Sequence, residues 1–283
     1  MDVLADGTGA NEGLITDGFV QSAASTVDVL FVLDNSGSMD DNLNALNNEF
    51  PVFINQFVNL GLDYQIGVVS TDMDDPTHSG RLQGPIITTS TPDPIAQFAS
   101  NTDVGTDGSL DEKGLDAAYA ALSMPLIANE NAGLVRPGSL LTVIAISDEP
   151  DQSDVDASTM ISFLDTYQGD PTLSSFSIVG GPKTGILPCW RGIFPAAPVP
   201  KYWNVANNTG GIHANICNLD MSVILTQLSV VAAGLNQEYV IQGNPTDPSG
   251  IEVLVDGTPL VEDDPQNIRG NPKVREAYLG ESA

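Results

Sequence analysis

The chain has 283 residues, of which 41% are hydrophobic, so it is long and apolar enough for one large α/β domain with appended segments. The formal net charge of −28 disfavours binding to nucleic acid or to an anionic membrane, and it fits either a salty or calcium-bearing exterior or plain solubility. No apolar run reaches the roughly 18 residues that a membrane-spanning helix needs.

The first segment, residues 1–21, is predicted to be an acidic leader or an interdomain linker. It does not have the charged and apolar regions of a signal peptide. Either export would use another route, or the chain is a piece of a longer protein.

An apolar run at 27–33 predicts a central parallel strand that is covered on both faces. Apolar residues at three- and four-residue steps predict a helix over 40–60, which Pro51 should kink or restart. Residues 64–71 alternate as a second strand, and 81–88 are predicted to be a short edge strand.

The later segments continue the alternation of strands and helices. Helices are predicted at 110–122, 154–167 and 221–235, and strands at 139–147, 173–179, 237–241 and 251–255. This order predicts an α/β fold with a doubly wound, mostly parallel central sheet and helices on both faces.

The loop after the first strand carries one carboxylate and two hydroxyls at alternating positions: Asp34, Ser36 and Ser38. These side chains can converge on one point and present hard oxygen atoms, which suit Mg²⁺ or Mn²⁺. An Asx-turn at Asp34 and helix caps at the two serines are the alternatives.

Two later residues are expected at the same edge of the sheet. Asp148 follows the 139–147 strand, and ligands bind outside the carboxyl ends of parallel strands. Thr106 lies in the loop before the 110–122 helix, with Thr102 as a nearby competitor. Three acids after the second strand could hold a second cation or form a hydrogen-bonded turn: Asp72, Asp74 and Asp75.

The Asp-x-Ser-x-Ser pattern with its downstream partners resembles the metal-ion-dependent adhesion site of von Willebrand factor type A (VWA) domains, over about 19–255. The resemblance implies five metal-site residues: Asp34, Ser36, Ser38, Thr106 and Asp148. It implies Mg²⁺, with Mn²⁺ or Ca²⁺ as other candidates, and an open coordination position that a carboxylate of the partner fills.

The two cysteines, Cys189 and Cys217, match no zinc motif, and a disulfide is preferred over two buried thiols. A disulfide would place the protein outside the reducing cytosol. It would fix a long loop, 181–218, beside the edge of the sheet that is predicted to bind the metal. There Trp190 would contact a partner, or Trp190 and Trp203 would fill a small satellite core.

The domains are therefore predicted as a leader or linker at 1–21, a VWA domain at 22–256 and a tail at 257–283. The tail resembles the end of ATPase subunits from amino-acid-importing ABC transporters, with a short helix expected at 273–279. No phosphate-binding loop accompanies it, so no ATPase is implied.

These observations favour a non-enzymatic, cation-dependent module that binds a protein or glycoprotein on an extracellular, cell-surface or periplasmic site. The alternative is a structural or assembly subunit of an extracellular complex, built through the VWA domain. A hydrolase that activates water with the metal is disfavoured, because no histidine or acid–base pair accompanies the motifs. Neither nucleic-acid binding nor membrane insertion is expected.

Overall fold

The computed structural model describes residues 24–185, 187–191, 194–217, 220–235, 251–255 and 258–263. Residues 24–233 form one compact unit, and residues 1–23 and 234–283 form a second. The segments expected at 1–21, 237–241 and 273–279 lie outside the described residues. The predicted domain limits at residues 22 and 256 stay predictions.

The described residues of the 24–233 unit form eight strands. They are β1 Thr26–Leu33, β2 Asp63–Ser70, β3 Ile87–Thr88, β4 Leu140–Ile146, β5 Ser174–Gly180, β6 Cys189–Arg191, β7 Phe194–Ala196 and β8 His213–Asn215. Six of them form one sheet in the order β3-β2-β1-β4-β5-β8, in which only β3 is antiparallel to its neighbour. The predicted α/β fold with a mostly parallel sheet is confirmed.

In the described part of the chain, six α-helices cover the two faces of this sheet. They are α1 Asp40–Asn59, α2 Pro94–Asn101, α3 Gly114–Leu122, α4 Ala157–Tyr167, α5 Pro200–Asn208 and α6 Met221–Ala232. Successive residues of β1 point to opposite faces, so Leu30 and Val32 pack with α3, α4 and α5. Phe31 packs instead against Phe50 of α1 and Phe98 of α2, at ring-centroid distances of 6.4 and 5.1 Å.

Helix α1 runs through Pro51 without interruption, so the expected restart does not occur. A proline inside a helix costs about 3 kcal/mol because it removes one backbone hydrogen bond and crowds the preceding turn. Buried aromatic residues on both sides of Pro51, among them Phe50, Phe53 and Phe57, anchor the helix to the sheet and offset that cost.

The 181–218 segment is not the structureless loop that the sequence predicted. It contains the β6–β7 hairpin, helix α5 and the edge strand β8. Pro200 stands in the first turn of α5, where its fixed φ suits a helix start, and Tyr202, Val205 and Ala206 are buried on the inner side. The apolar spacing of this short helix was overlooked among the surrounding prolines.

The described part of the second unit is a two-stranded antiparallel sheet. It pairs β9 Ile251–Val255 with β10 Thr258–Asp263, with a register irregularity between Pro259 and Val261. The late strand expected at 251–255 is therefore present, but outside the central sheet. Among the described residues, no helix is long and apolar enough to cross a bilayer.

Candidate metal centre

Three neighbouring strands end at the same level on one edge of the sheet. Leu33 is paired with Ile146, so Asp34 and Ser147 begin adjacent loops. The N–H of Asp34 donates to the Ile146 carbonyl at 3.0 Å, and the N–H of Thr71 donates to the Leu33 carbonyl at 2.9 Å. The chain turns to opposite sides of the sheet from β1 and β4, which makes this the switch point where α/β sheets bind ligands.

Asp34 is fully buried at this edge. One carboxylate oxygen accepts the N–H of Ser36 at 2.8 Å, which is the Asx-turn contact considered as an alternative. The other oxygen accepts the Ser147 hydroxyl at 2.7 Å. Sequence reasoning did not include Ser147, although its position directly before Asp148 pointed to the same edge. These two contacts fix the carboxylate of Asp34 in the loop.

The two serine hydroxyls of the motif face a carboxylate from a distant part of the chain. Ser36 Oγ and Ser38 Oγ lie 3.0 Å apart, and the Ser38 hydroxyl donates to Asp148 Oδ1 at 3.0 Å. Ser36 stands before the short 3-10 turn Gly37–Met39, but its side chain makes no capping bond. The oxygen atoms of Ser36, Ser38 and Asp148 thus form one continuous cluster beside Asp34.

The loop that carries Thr106 lies against the same motif. The N–H of Gly108 donates to the Asn35 carbonyl at 3.1 Å, and the Asn35 side chain donates to the Val104 carbonyl at 3.4 Å. The main-chain oxygen of Thr106 is 3.5 Å from the point that a Cβ on Gly37 would occupy. The backbone around Thr106 is therefore at the site, and metal contact by its hydroxyl stays a prediction.

The rival residues have other roles in the fold. The Thr102 hydroxyl is buried, and the possible acceptors of its proton include Asn47 Oδ1 at 2.6 Å and the Phe98 carbonyl at 3.1 Å. Asp72 Oδ1 accepts the N–H groups of Asp74 and Asp75 at 2.8 and 3.0 Å, so these acids form a hydrogen-bonded turn.

A buried acid that sequence reasoning missed lies next to Asp34. Glu112 is 1% exposed, and its Oε2 accepts a short hydrogen bond from the Thr71 hydroxyl. Its Oε1 is buried and receives no N–H or hydroxyl donor from the described residues, although the carboxyl lies within hydrogen-bonding reach of Asp34. The available signal was its position in the Thr106 loop directly before α3, but in an acidic loop nothing in the sequence separates a buried acid from solvated ones.

Burial and mutual repulsion raise the proton affinity of these acids. Burial, and then the charge of Asp34, raise the pKa of Glu112 to about 8 and that of Asp148 to about 6. Burial also raises the pKa of Asp34, against the hydrogen bonds from Ser147 and Ser36. Glu149 follows the same trend, with a pKa raised by burial and by Asp34. The fold thus places these acids where their ionised forms are poorly solvated and repel one another.

The arrangement fits a divalent cation. None of the ion pairs among the described residues involves Asp34, Asp148 or Glu112, so no lysine or arginine offsets their charge. Among the described residues, no group of three Asp, Glu, His or Cys side chains lies close enough together for all three to bind one metal ion directly. A cation bound directly by the Ser36 and Ser38 hydroxyls, and by the acids partly through water molecules, would agree both with the missing countercharge and with the lack of three direct acidic ligands.

The disulfide-stapled segment contacts the site through the loop after β4. Cys189 and Cys217 form the predicted disulfide. The N–H of Ala197, just after β7, donates to the Asp148 carbonyl at 2.8 Å. Trp190 in β6 is 64% exposed and does not fill a satellite core, whereas Trp203 is half-buried.

Comparison with known proteins gives one short family match. The model of a branched-chain amino acid ATP-binding cassette transporter family matches residues 258–283, in agreement with the resemblance noted for the tail. This match covers a small fraction of the chain and says nothing about residues 24–233. No curated protein matches the sequence.

Several solved structures are similar in fold. Proximal thread matrix protein 1 from the mussel byssus, with a zinc-occupied MIDAS motif, is 17% identical over 76% of this chain and 47% of its own, at a TM-score of 0.44. BatB from Bacteroides thetaiotaomicron is 16% identical over 73% and 98%, at 0.42. The SpRpn10 VWA domain is 15% identical over 72% and 95%, at 0.39.

These likenesses concern the fold alone, and at such TM-scores they carry no argument about function. The chain spans about half the length of the byssus matrix proteins that it matches. The strand order and the Asp-x-Ser-x-Ser loop at the switch point are features of this molecule itself. By these features, residues 24–233 have the fold of a VWA domain.

Proposed function

We propose that this domain is a non-enzymatic binding module that needs a divalent cation to bind its partner. The observation that carries the proposal is the contact of Ser38 with Asp148 across 110 residues of sequence, beside Ser36 and the buried Asp34. Folding gathers these oxygens at one edge of the sheet, where Ser38 is half-exposed, and no ion pair among the described residues compensates Asp34 or Asp148.

The proposed ligand set is the one predicted from the sequence: Asp34, Ser36, Ser38, Thr106 and Asp148. Mg²⁺ is the proposed ion, with Mn²⁺ or Ca²⁺ as substitutes, because every contributed atom is a hard oxygen. When bound, the cation would supply a positive charge that is not fully shielded and would attract a carboxylate of the partner. Ser147 would hold Asp34 in place, and Ser38 would hold Asp148.

The exposed Trp190 supports a protein or glycoprotein partner. Large aromatic side chains dominate many binding interfaces, and Trp190 belongs to the hairpin that leads into the Asp148 contact. The disulfide holds this hairpin and supports a location outside the reducing cytosol, at a cell surface, in a periplasm or in the extracellular space.

A second candidate function is assembly of a larger extracellular structure through the same domain. It differs from the first in that the carboxylate would come from a neighbouring subunit. Size-exclusion chromatography with light scattering, with Mg²⁺ and with EDTA, separates the two: cation-dependent growth in mass supports assembly, and an unchanged monomer supports a heterologous partner.

The proposal is tested by titrating the full chain with Mn²⁺ and following free Mn²⁺ by electron paramagnetic resonance. We expect Asp34→Asn and Ser38→Ala to weaken Mn²⁺ binding by at least about tenfold, because each removes an oxygen that orders the site.

Asp74→Asn is the matched control, since it removes one charge from the rival acidic turn on the same edge. It should leave the affinity within about threefold, the range expected when no direct contact is lost. Equal losses in all three variants, or no loss in Asp34→Asn, would contradict the proposed site.

A further inference from the structure

Glu112 lies between Asp34 of the proposed metal site and Thr71 at the end of β2. It belongs to the loop that connects Thr106 to α3, and it lies close enough to Asp34 that each carboxyl shifts the pKa of the other. On its far side the Thr71 hydroxyl, at the end of β2, donates to Oε2. The residue thus stands behind the motif that the proposed function depends on.

The backbone on both sides of Glu112 is hydrogen-bonded to neighbouring segments, and the residue is 1% exposed. The N–H of Lys113 donates to the Thr71 carbonyl at 3.2 Å, and the N–H of Gln152 donates to the Glu112 carbonyl at 2.8 Å. These bonds tie the loop both to β2 and to the loop after β4. A carboxyl fixed in this way must be satisfied inside the protein.

Only half of that requirement is met. Oε2 has the Thr71 hydroxyl, whereas Oε1 is buried and receives no N–H or hydroxyl donor from the part of the chain that the structure describes; the other polar side chain within hydrogen-bonding reach of the carboxyl is Asp34, a second acid. Burial of an unpaired acceptor costs free energy, and native proteins rarely tolerate it without an ordered water or an ion. Asp34 can satisfy Glu112 only while the two acids share a proton, whereas a cation would compensate both when they are ionised.

We propose that Glu112 is a further acidic residue of the cation site, which raises its affinity for a divalent ion by placing a third carboxyl behind Asp34. This inference rests on the proposed function. Glu112 is a positioning residue: it acts through Asp34 and through a water molecule at Oε1, since the described acids are not spaced as three direct ligands.

A third acid also affects what the site can bind. Affinity for a hard cation increases with the number of charged oxygens around it. The same charges shield the ion, so an incoming carboxylate is attracted less strongly than at a site with two acids. The site would therefore bind its cation tightly. The partner would be bound more through contacts with the surrounding protein surface than through its carboxylate on the cation.

The test compares Mn²⁺ affinity in the full chain for the wild type, Glu112→Gln and Asp111→Asn. Glutamine keeps the shape and the acceptor for Thr71 but carries no charge, and we expect it to weaken Mn²⁺ binding by about 10- to 100-fold. Asp111 is the exposed neighbour of Glu112, so its variant removes the same charge from the same loop. It should change the affinity by less than about threefold.

Thr71→Val is the second variant, because it leaves the Glu112 carboxyl in place and removes the hydroxyl that orients it. We expect a smaller loss, of about three- to tenfold. Thermal unfolding in EDTA confirms that each variant is folded, and a purely structural role would change that midpoint without changing Mn²⁺ affinity.

Wild-type affinity in Glu112→Gln, with binding lost in Asp34→Asn, would overturn this inference and leave the proposed function standing. Equal losses in Asp111→Asn and Glu112→Gln would also overturn it, because the effect would then be one of general charge. Failure of the wild type to bind Mn²⁺ would overturn both proposals.

Discussion

Asp34 shows how one residue can combine a structural and a functional role. Its carboxylate closes the turn to Ser36 and accepts the Ser147 hydroxyl, so its position is fixed without a cation. Its burial nevertheless raises its pKa, as expected for an acid that lacks a countercharge. The residue is therefore ordered by the fold and still short of electrostatic compensation.

The acids of the site predict an unusual pH dependence of stability in EDTA. The pKa of Glu112 is raised from 4.5 to about 8, so between those values the folded state keeps a proton that the unfolded state has lost. Stability without metal should therefore fall as pH rises from about 4.5 to 8. Asp148, with a pKa raised from 3.8 to about 6, acts in the same direction over a lower range.

Urea unfolding of the wild type and of Glu112→Gln, in EDTA across this pH range, measures the effect. The wild type should lose stability relative to the variant as pH rises, since glutamine does not titrate. Parallel pH profiles for the two proteins would show that Glu112 titrates normally in the folded state.

Individual residues of the site could be predicted from the sequence where a metal-binding residue type stands directly after a predicted strand. The common location of Asp34, Ser36, Ser38 and Asp148 was predictable because an apolar strand ends directly before each group, and strand ends share an edge; their binding of a metal stays a prediction. Glu112 and Ser147 were missed because their importance lies in burial and in one neighbour, which neither spacing nor residue type reveals.

At the scale of elements, α5 and α3 are joined by a tyrosine that lies beneath the site. Tyr202 is fully buried, and its hydroxyl accepts the N–H of Gly114, the first residue of α3, at 3.1 Å. A larger residue at Gly114 would collide with that hydroxyl. Since α3 begins two residues after Glu112, Tyr202 fixes the end of the loop that carries it.

Tyr202→Phe leaves the buried N–H of Gly114 without an acceptor, which should lower the free energy of unfolding by about 1–3 kcal/mol. It should also weaken Mn²⁺ binding, because the start of α3 is less well held. The measurements are urea unfolding and the Mn²⁺ titration.

Tyr167→Phe provides the comparison, because it removes a hydrogen bond to the Leu122 carbonyl at the opposite end of α3. It should reduce stability and leave Mn²⁺ affinity unchanged. If Tyr202→Phe behaved in the same way, α5 would have no influence on the site.

The elements were predicted well where periodicity is strong and poorly where it is short. The central strands were placed within about a residue of their observed ends because they are continuous apolar runs. Helix α5 and strand β8 were missed, since nine and three residues carry little periodic signal. The start of α3 at Gly114, rather than at 110, depends on Tyr202, which is distant in sequence.

For the whole molecule, the net charge of −28 means that a bound cation reduces repulsion across the entire chain as well as at its own site. Positive ions of any kind relieve the repulsion among 37 acidic residues, so a general effect of salt on stability is expected. A specific site must therefore be recognised by where the ion lies and not by stabilisation alone.

The most direct measurement is the anomalous difference density of crystals of the full chain soaked in Mn²⁺. We expect one strong peak beside the hydroxyls of Ser36 and Ser38 and the carboxylate of Asp148, absent from crystals of Asp34→Asn. A peak only at the Asp72–Asp75 turn, or none at the Ser36–Ser38 loop while Mn²⁺ binds in solution, would contradict it.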